Sequence, residues 1–554
     1  MRLPGRGRAG GGPRGAHGRG ARRRRPARPG PGGVRRDRRR AVRVLHPGSD
    51  RRHARPRSPR PEADGRRDPR VAGRKPLSLY RIREDPRRGA PRGVPDGGCL
   101  VRTVIEGAAV ATVDAAGTEF TDGHVVVNGG LIESVGPGPA PDDLPADRRV
   151  DGRGCLATPG FVNTHHHLYQ WATRGLAQQS DLFDWLVRLY PVWAGIDEET
   201  TRAAATAGLV RLARTGCTTA ADHHYVFPRD AGDLLGATVH AAAEVGIRLH
   251  AVRGSMDRGT STGGLPPDSL VEDTAAALEG TGEAISRWHD PSPTSFIRVA
   301  VGPCSPFSVS ADLMTGAAEL ARAAGVRMHT HLAETLEEEK QCLSEFGCTP
   351  VQYAERLGWT GPDVWLAHGV HLSDGAIRTL GQSRTGVAHC PTSNARLGAG
   401  IARVADMLAA GVPVGLGADG AASNEDGGLG GELRQAMYLA RLRDGAASFD
   451  ARRALWLATM GGAACLGRQR ELGSLEPGKL ADVALWRLTG VEHAGIADPV
   501  AALVFGSLPP LALLLAGGNT VIEDDESCLV TEADVARDLN AASVRLARKA
   551  GMLR

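Results

Sequence analysis

Eight short apolar segments, each closing on polar residues and each followed by an Ala- and Leu-rich stretch of helical character, constrain this chain more than any other feature. They cover residues 160–164, 218–222, 248–253, 297–302, 326–331, 364–368, 386–389 and 414–419. Strands alternating with helices predict an α/β fold with a parallel sheet, and eight of them predict a (β/α)8 TIM barrel over 158–469. In such a barrel the functional groups gather where the strands end. The chemistry is therefore sought at eight strand ends.

The segments on either side read differently. Short β-like runs broken by Gly and Asp fill 99–157, and the same character returns over 470–535, as in GSLEPGKLADVALWRL. Each piece alone is too short to bury a core, so the two are expected to pair into one small β-sandwich domain, with a C-terminal helix over 536–554. Residues 1–98 belong to neither unit. They hold 31 of the 68 Arg and Lys residues against 8 of the 62 Asp and Glu, amid many Gly and Pro. Such a composition cannot bury enough apolar surface to offset chain entropy, so this stretch is expected to be disordered or to precede a true start near Val101. What remains has 37 basic and 54 acidic residues, a net charge of −17. The basic balance of the whole chain is a property of the tail, and no nucleic-acid partner is expected for the folded part. No apolar run has transmembrane length and no secretory leader is expected, so no membrane partner is predicted. The nine cysteines form no C-x-x-C pair, which fits buried thiols in a reducing cytoplasm. A homo-oligomer is expected.

The first strand end reads TPGFVNTHHHLYQ. Alternate residues of a strand share a face, so His165 and His167 are predicted to point inward and His166 outward. The fifth end, RMHTHLAET, adds His331, and the eighth, GLGADGAASN, adds Asp419. Any one of these alone is more often a packing residue or a helix cap than a ligand. Together, three histidines and a carboxylate form a metal site with room for a water, whose pKa a zinc ion brings to about 7. Mixed nitrogen and oxygen ligands leave Fe2+ or Mn2+ open beside Zn2+. One ion per chain is expected, because the fourth strand end, VAVGPCSPF, lacks the bridging lysine that a two-metal site would use.

Hydrolysis at an aromatic carbon needs a proton carried to the ring nitrogen and then to the leaving amine. Glu334, three residues after His331, is assigned as that shuttle; the alternative is an ion pair within its loop. His368 is placed to polarise the water or the tetrahedral centre, and Asp419 to take a proton while holding metal. His329, His389, His223 and His224 are read as supporting or packing groups. Gln170, Tyr225 and Arg253, polar groups near strand ends, are expected to meet the substrate, although Arg253 would serve equally as a structural ion-pair residue. The stripe Leu182, Leu186, Tyr190 is read as ordinary helix packing.

These motifs resemble the amidohydrolase superfamily and, within it, the nucleobase and triazine deaminase branch. PGFVNTHHH is similar to that family's H-x-H strand, HLAET to its fifth-strand His and Glu, LAHGVHL to its sixth-strand His and GLGADGAASN to its last-strand Asp. HHHLYQ, ADHHYVFP, RGSMDRGTSTGGLPPDS and GPCSPFSV with HCPTSNARL resemble 8-oxoguanine deaminases in particular. The resemblance implies a single zinc, a barrel beside a β-sandwich, and hydrolysis of 8-oxoguanine to urate and ammonia. GSLPPLALLLAGGNTVIEDD departs from the family's regular strand pair. The same machinery would serve isoxanthopterin, guanine or a chlorinated triazine. A non-haem iron oxygenase also uses two histidines and a carboxylate, but it has no use for a third histidine beside Glu334.

Overall fold

The computed structural model describes residues 101–553; the Arg-rich stretch 1–98 lies outside them. Five strands open the described chain: β1 (Arg102–Ala111), β2 (Glu119–Asn128), β3 (Leu131–Pro137), β4 (Arg148–Asp151) and β5 (Cys155–Pro159). Eight barrel strands follow: β6 (Phe161–Asn163), β7 (Cys217–His224), β8 (Arg248–Ser255), β9 (Ile297–Pro303), β10 (Arg327–Leu332), β11 (Val364–His368), β12 (Gly386–His389) and β13 (Val414–Leu416). The chain then returns to the first sheet with β14 (Val483–Arg487), β15 (Leu511–Ala516), β16 (Asn519–Glu523) and β17 (Glu526–Ser527).

The barrel strands pair in parallel in chain order from β6 to β13. Most are buried along their whole length, as expected for parallel strands with helices outside and a packed interior. The ring is closed past the ends of the ladders. Thr164 N–H donates to the Leu416 carbonyl at 2.9 Å, and Asp419 N–H to the His165 carbonyl at 3.0 Å. The first and last strands, which carry two of the predicted ligand motifs, are thereby stitched together at the C-terminal mouth.

The two flanking segments form one nine-stranded sheet in the order β17-β16-β15-β14-β5-β1-β2-β3, with β4 beside β1. The sheet curls over its own core of Ile105, Val125, Val127, Val483, Leu485 and Leu513. Ala481 clasps the two ends of that curl: its N–H donates to the Gly130 carbonyl, and its carbonyl accepts from Gly518 N–H, each at 2.9 Å. The segment that departs from the family pattern still pairs as a regular β15–β16 hairpin, with one irregularity between Leu514 and Leu515. The C-terminal helix starts earlier than expected, spanning Glu532–Lys549, because Glu532 and Asp534 place acidic charge in its first turn.

Candidate active site

The first strand is shorter than its sequence suggests. β6 stops at Asn163, so His165 and His167 lie beyond the ladder rather than on its pleat. They still alternate, because hydrogen bonds from neighbouring strands hold the backbone between them. Asp419 N–H reaches the His165 carbonyl at 3.0 Å and His223 N–H the His166 carbonyl at 2.7 Å.

The three imidazoles are each fixed by their far nitrogen. His167 Nδ1–H donates to the His223 carbonyl at 2.7 Å and His331 Nδ1–H to the Cys304 carbonyl at 2.7 Å. His329 Nδ1–H donates to the Trp365 carbonyl at 2.8 Å, which leaves its Nε2 to accept from His165 Nδ1–H at 2.7 Å. Carbonyls only accept, so in each neutral ring Nε2 carries a lone pair. Burial pushes the pKa of all three rings down, which keeps them neutral. The result is a set of acceptors with nothing to accept from. His167 and His331 bring their Nε2 atoms 3.1 Å apart, and His165 Nε2 has no hydrogen-bond partner. Asp419 Oδ1 stands 3.4 Å from His165 Nε2 and 3.3 Å from His167 Nε2. Converging lone pairs and a carboxylate repel one another unless a cation lies among them, so these residues fit a metal ion.

His165, His167 and Asp419 offer ligand atoms within 4.8 Å of one another, as do His165, His331 and His368. His223 also comes within that distance of His167 and His331, closer than the sequence suggested; its Nε2–H donates to the Gly302 carbonyl at 2.7 Å and its Nδ1 has no partner. Ser393 and Ser423 both donate to Asp419 Oδ2, at 2.5 and 3.1 Å, which turns Oδ1 toward the histidines. Sequence reasoning missed these two hydroxyls, whose only signal is their place in the HCPTSNARL and GADGAASN motifs.

Glu334 faces His368, with Oε2 3.7 Å from Nε2. Burial lifts its pKa to about 7, so near neutral pH this carboxyl can both hold and release a proton. Burial alone would push the His368 imidazole down, but the charges of Glu334 and Asp419 beside it leave it above the ordinary value. Its Nδ1–H is held by Asn394 Oδ1 at 2.9 Å. Ala333, His368 and Asp419 all have positive φ, at 54°, 73° and 59°, so three strand ends of this site store backbone strain.

One cavity joins these groups. Its lining includes His167, His331, Glu334, His368 and Asp419 together with Gln170 and Tyr225. Both amide atoms of Gln170 are buried without partners, and a Cβ at Gly420 would stand 1.8 Å from its Oε1, so a side chain there would have to displace the amide. Arg253 takes up the ion-pair alternative: it is absent from this lining, bound through both terminal nitrogens to Glu272 at 2.8 and 2.6 Å and laid over the Phe227 ring at 3.9 Å. On the helix Leu182–Trp193, Leu182, Leu186 and Tyr190 pack in the core as expected and, with Trp185, also form a wall of the cavity.

Comparison with known proteins agrees with this geometry. The amidohydrolase family model matches residues 156–521. An 8-oxoguanine deaminase of Pseudomonas aeruginosa is 42% identical, covering 79% of this chain and 98% of its own. An isoxanthopterin deaminase from an unknown prokaryotic organism is 34% identical, covering 81% and 97%. Among solved structures, an atrazine chlorohydrolase from Arthrobacter aurescens TC1 complexed with zinc superposes with a TM-score of 0.76 at 33% identity, covering 80% of this chain and all of that one. The chain belongs to the amidohydrolase family. It is a hydrolase acting on C–N bonds, with a metal-binding His and Asp cluster at the C-terminal mouth of its barrel. No helix among the described residues is long and apolar enough to cross a membrane.

Proposed function

We propose that this chain hydrolyses the 2-amino group of 8-oxoguanine, taking up water and releasing urate and ammonia. The observation that carries this reading is the meeting of neutral His167 and His331 and of Asp419 with a protonatable Glu334 in one cavity, with the His165 imidazole within ligand distance of His167 and Asp419. His165, His167, His331 and Asp419 would hold the ion, with zinc preferred over iron or manganese because a solved relative is complexed with zinc. When bound, a divalent ion supplies a water whose pKa lies near 7.

The rest falls to the chain's own residues. Asp419, its Oδ2 anchored by two serines, is placed to take a proton from the attacking water. Glu334 delivers its proton to the ring nitrogen beside the attacked carbon; the proton left on the tetrahedral hydroxyl then passes through Glu334 to the departing amine, and the one taken by Asp419 restores Glu334, exchanges that a carboxyl with a pKa near 7 makes in either direction. His368 faces the same carboxyl and is placed to steady charge on the oxygen of the tetrahedral carbon. Gln170 offers one donor and one acceptor with no internal partner, which suits a ring carrying both carbonyl and N–H groups. Tyr225 adds a hydroxyl to the same wall, and the Leu182–Trp193 helix supplies flat and apolar surface for stacking. The 42% identical relative favours the oxidised purine over other rings. The free thiols of the eight described cysteines support a reducing cytoplasm.

Ammonia release from the zinc-loaded protein is the deciding measurement, with 8-oxoguanine, guanine, isoxanthopterin and an aminotriazine side by side. Fastest turnover of 8-oxoguanine is expected. Turnover of guanine or isoxanthopterin with none of 8-oxoguanine would move the substrate elsewhere in the same branch.

A further inference from the structure

We propose that Glu338 is a positioning residue that sets Glu334 over the cavity, an inference that rests on the proton-carrying role given to Glu334 above. β10 ends at Leu332 and the chain turns at once, with Ala333 in the left-handed region at φ 54°. That turn takes two buried N–H groups out of the strand ladder. Both donate to one side chain: Ala333 N–H to Glu338 Oε1 at 2.8 Å, and Glu334 N–H to Glu338 Oε2 at 2.9 Å. On the opposite side, the Ala333 carbonyl accepts from Val370 N–H and His371 N–H, each at 2.9 Å, and the Leu332 carbonyl accepts from Gly369 N–H at 3.2 Å. The backbone that carries Glu334 is thus clamped between the Glu338 carboxylate and the loop that follows His368.

A simpler role for Glu338 would be a helix cap. Thr335 precedes the helix Leu336–Phe346 and accepts from Glu338 N–H at 3.3 Å, so Thr335 and Glu338 have the spacing of a capping box. In a capping box the Glu reaches back to the N–H of the cap residue itself, and Gln serves as well as Glu. Here the carboxylate reaches past Thr335 to the two N–H groups before it. Each N–H reaches a different oxygen, and Gln would set its NH2 donor against one of them. Glu338 is buried and does not line the cavity, so an effect on turnover passes through the backbone of Glu334 or through the charge that Glu338 sets beside His368, and exchange at the 333–334 amides reads the first route alone.

The test compares Glu338→Gln with Glu337→Gln, an exposed neighbour, in the metal-loaded protein. Misplacing a reacting group by about 1 Å costs about 100-fold, so Glu338→Gln is expected to lower kcat by about 10- to 100-fold with KM within about threefold. Metal content should be unchanged, and Glu337→Gln should match the parent. Amide exchange over residues 333–334 should quicken in Glu338→Gln whether or not any ring is turned over. An unchanged kcat in a folded, metal-replete Glu338→Gln protein, or unchanged exchange at those two amides, overturns the proposal. So does a fall in kcat that merely follows lost metal or melting temperature. If Glu338→Gln does not fold, Glu338→Asp, which keeps both oxygens on a shorter arm, is read by the same measurements. A parent protein that releases ammonia from no ring defeats the deaminase reading alone, and the exchange data still decide the clamp.

Discussion

The two mouths of the barrel treat buried charge in opposite ways. At the N-terminal mouth, opposite charges meet. Arg248 Nη1 lies 2.5 and 2.6 Å from the oxygens of Asp482, while Arg298 and Arg468 share Glu471 at 3.1 and 2.5 Å. At the C-terminal mouth, acceptors face acceptors: two Nε2 atoms at 3.1 Å, a third without a partner, and Asp419 against them. The strained φ values of Ala333, His368 and Asp419 are at this end as well. The first mouth pairs its carboxylates with arginines, although Arg248 Nε, Arg298 Nε and Arg327 Nε keep no partner. The other is held in an arrangement that the fold alone leaves unsatisfied, which is the mark of a site awaiting a ligand.

If that contrast is sound, changes at the two ends should separate activity from stability. The largest effect belongs to Glu334→Gln, which keeps the shape of the carboxyl but not its proton chemistry. We expect kcat to fall by about three to four orders of magnitude while metal content and melting temperature hold. A fully active variant would remove Glu334 from the reaction. The converse change is Asp482→Ala at the other mouth. It strands the Arg248 guanidinium, which is 1% exposed, and leaves Gly517 N–H without the Asp482 acceptor it reaches at 2.7 Å. Removing one partner of a buried pair costs about 3–5 kcal/mol, with kcat expected to stay at the parental value below the melting transition. Equal losses of stability from both variants would erase the distinction between the ends.

A smaller effect comes from Glu432, which braces the C-terminal mouth by accepting from Thr392 N–H at 3.0 Å and Asn424 Nδ2 at 2.9 Å. Burial lifts its carboxyl from 4.5 to about 8. The folded state therefore binds more protons than the unfolded one between those values, so stability falls as pH rises through the window and levels off above it. Glu432→Gln should remove this slope. Relative to the parent, the variant is expected to gain about 2 kcal/mol between pH 6 and pH 8.5, read from denaturant midpoints. A parent and variant with parallel pH profiles would place the Glu432 titration elsewhere.

Much of the barrel was legible because a parallel strand must be apolar until it ends, so polar residues closing an apolar run mark the mouth directly. His331 and His368 fell where that rule placed them. His165, His167 and Asp419 did so for a different reason, since β6 and β13 are three residues each and the ligands lie beyond them, held by bonds across the seam. The groups that aim the site were not legible. Ser393 and Asn394 sit on the short helix Pro391–Arg396 and reach Asp419 and His368, each 26 residues away, Ser423 acts from a turn, and Glu338 bonds backward past its own helix cap, none of which spacing alone reveals. The stripe Leu182, Leu186, Tyr190 packs in the core as read, but its second role as a cavity wall stayed hidden, because helical periodicity shows which face is buried, not what lies against it.

Arg253 makes the last and smallest test, because it sits on a strand near the active mouth yet is paired in the manner of the opposite one. Its two terminal nitrogens are committed to Glu272 and its plane to Phe227, so a substrate would have to displace both to be recognised by it. Lysine keeps the charge but loses the bidentate fork and the stacking plane. Arg253→Lys should therefore lower stability by about 1 kcal/mol and leave kcat/KM within about twofold. A tenfold rise in KM at unchanged melting temperature would show the opposite: that the Glu272 pair opens during binding, and that self-satisfied charge and ligand-seeking charge are not divided by mouth but exchanged within one.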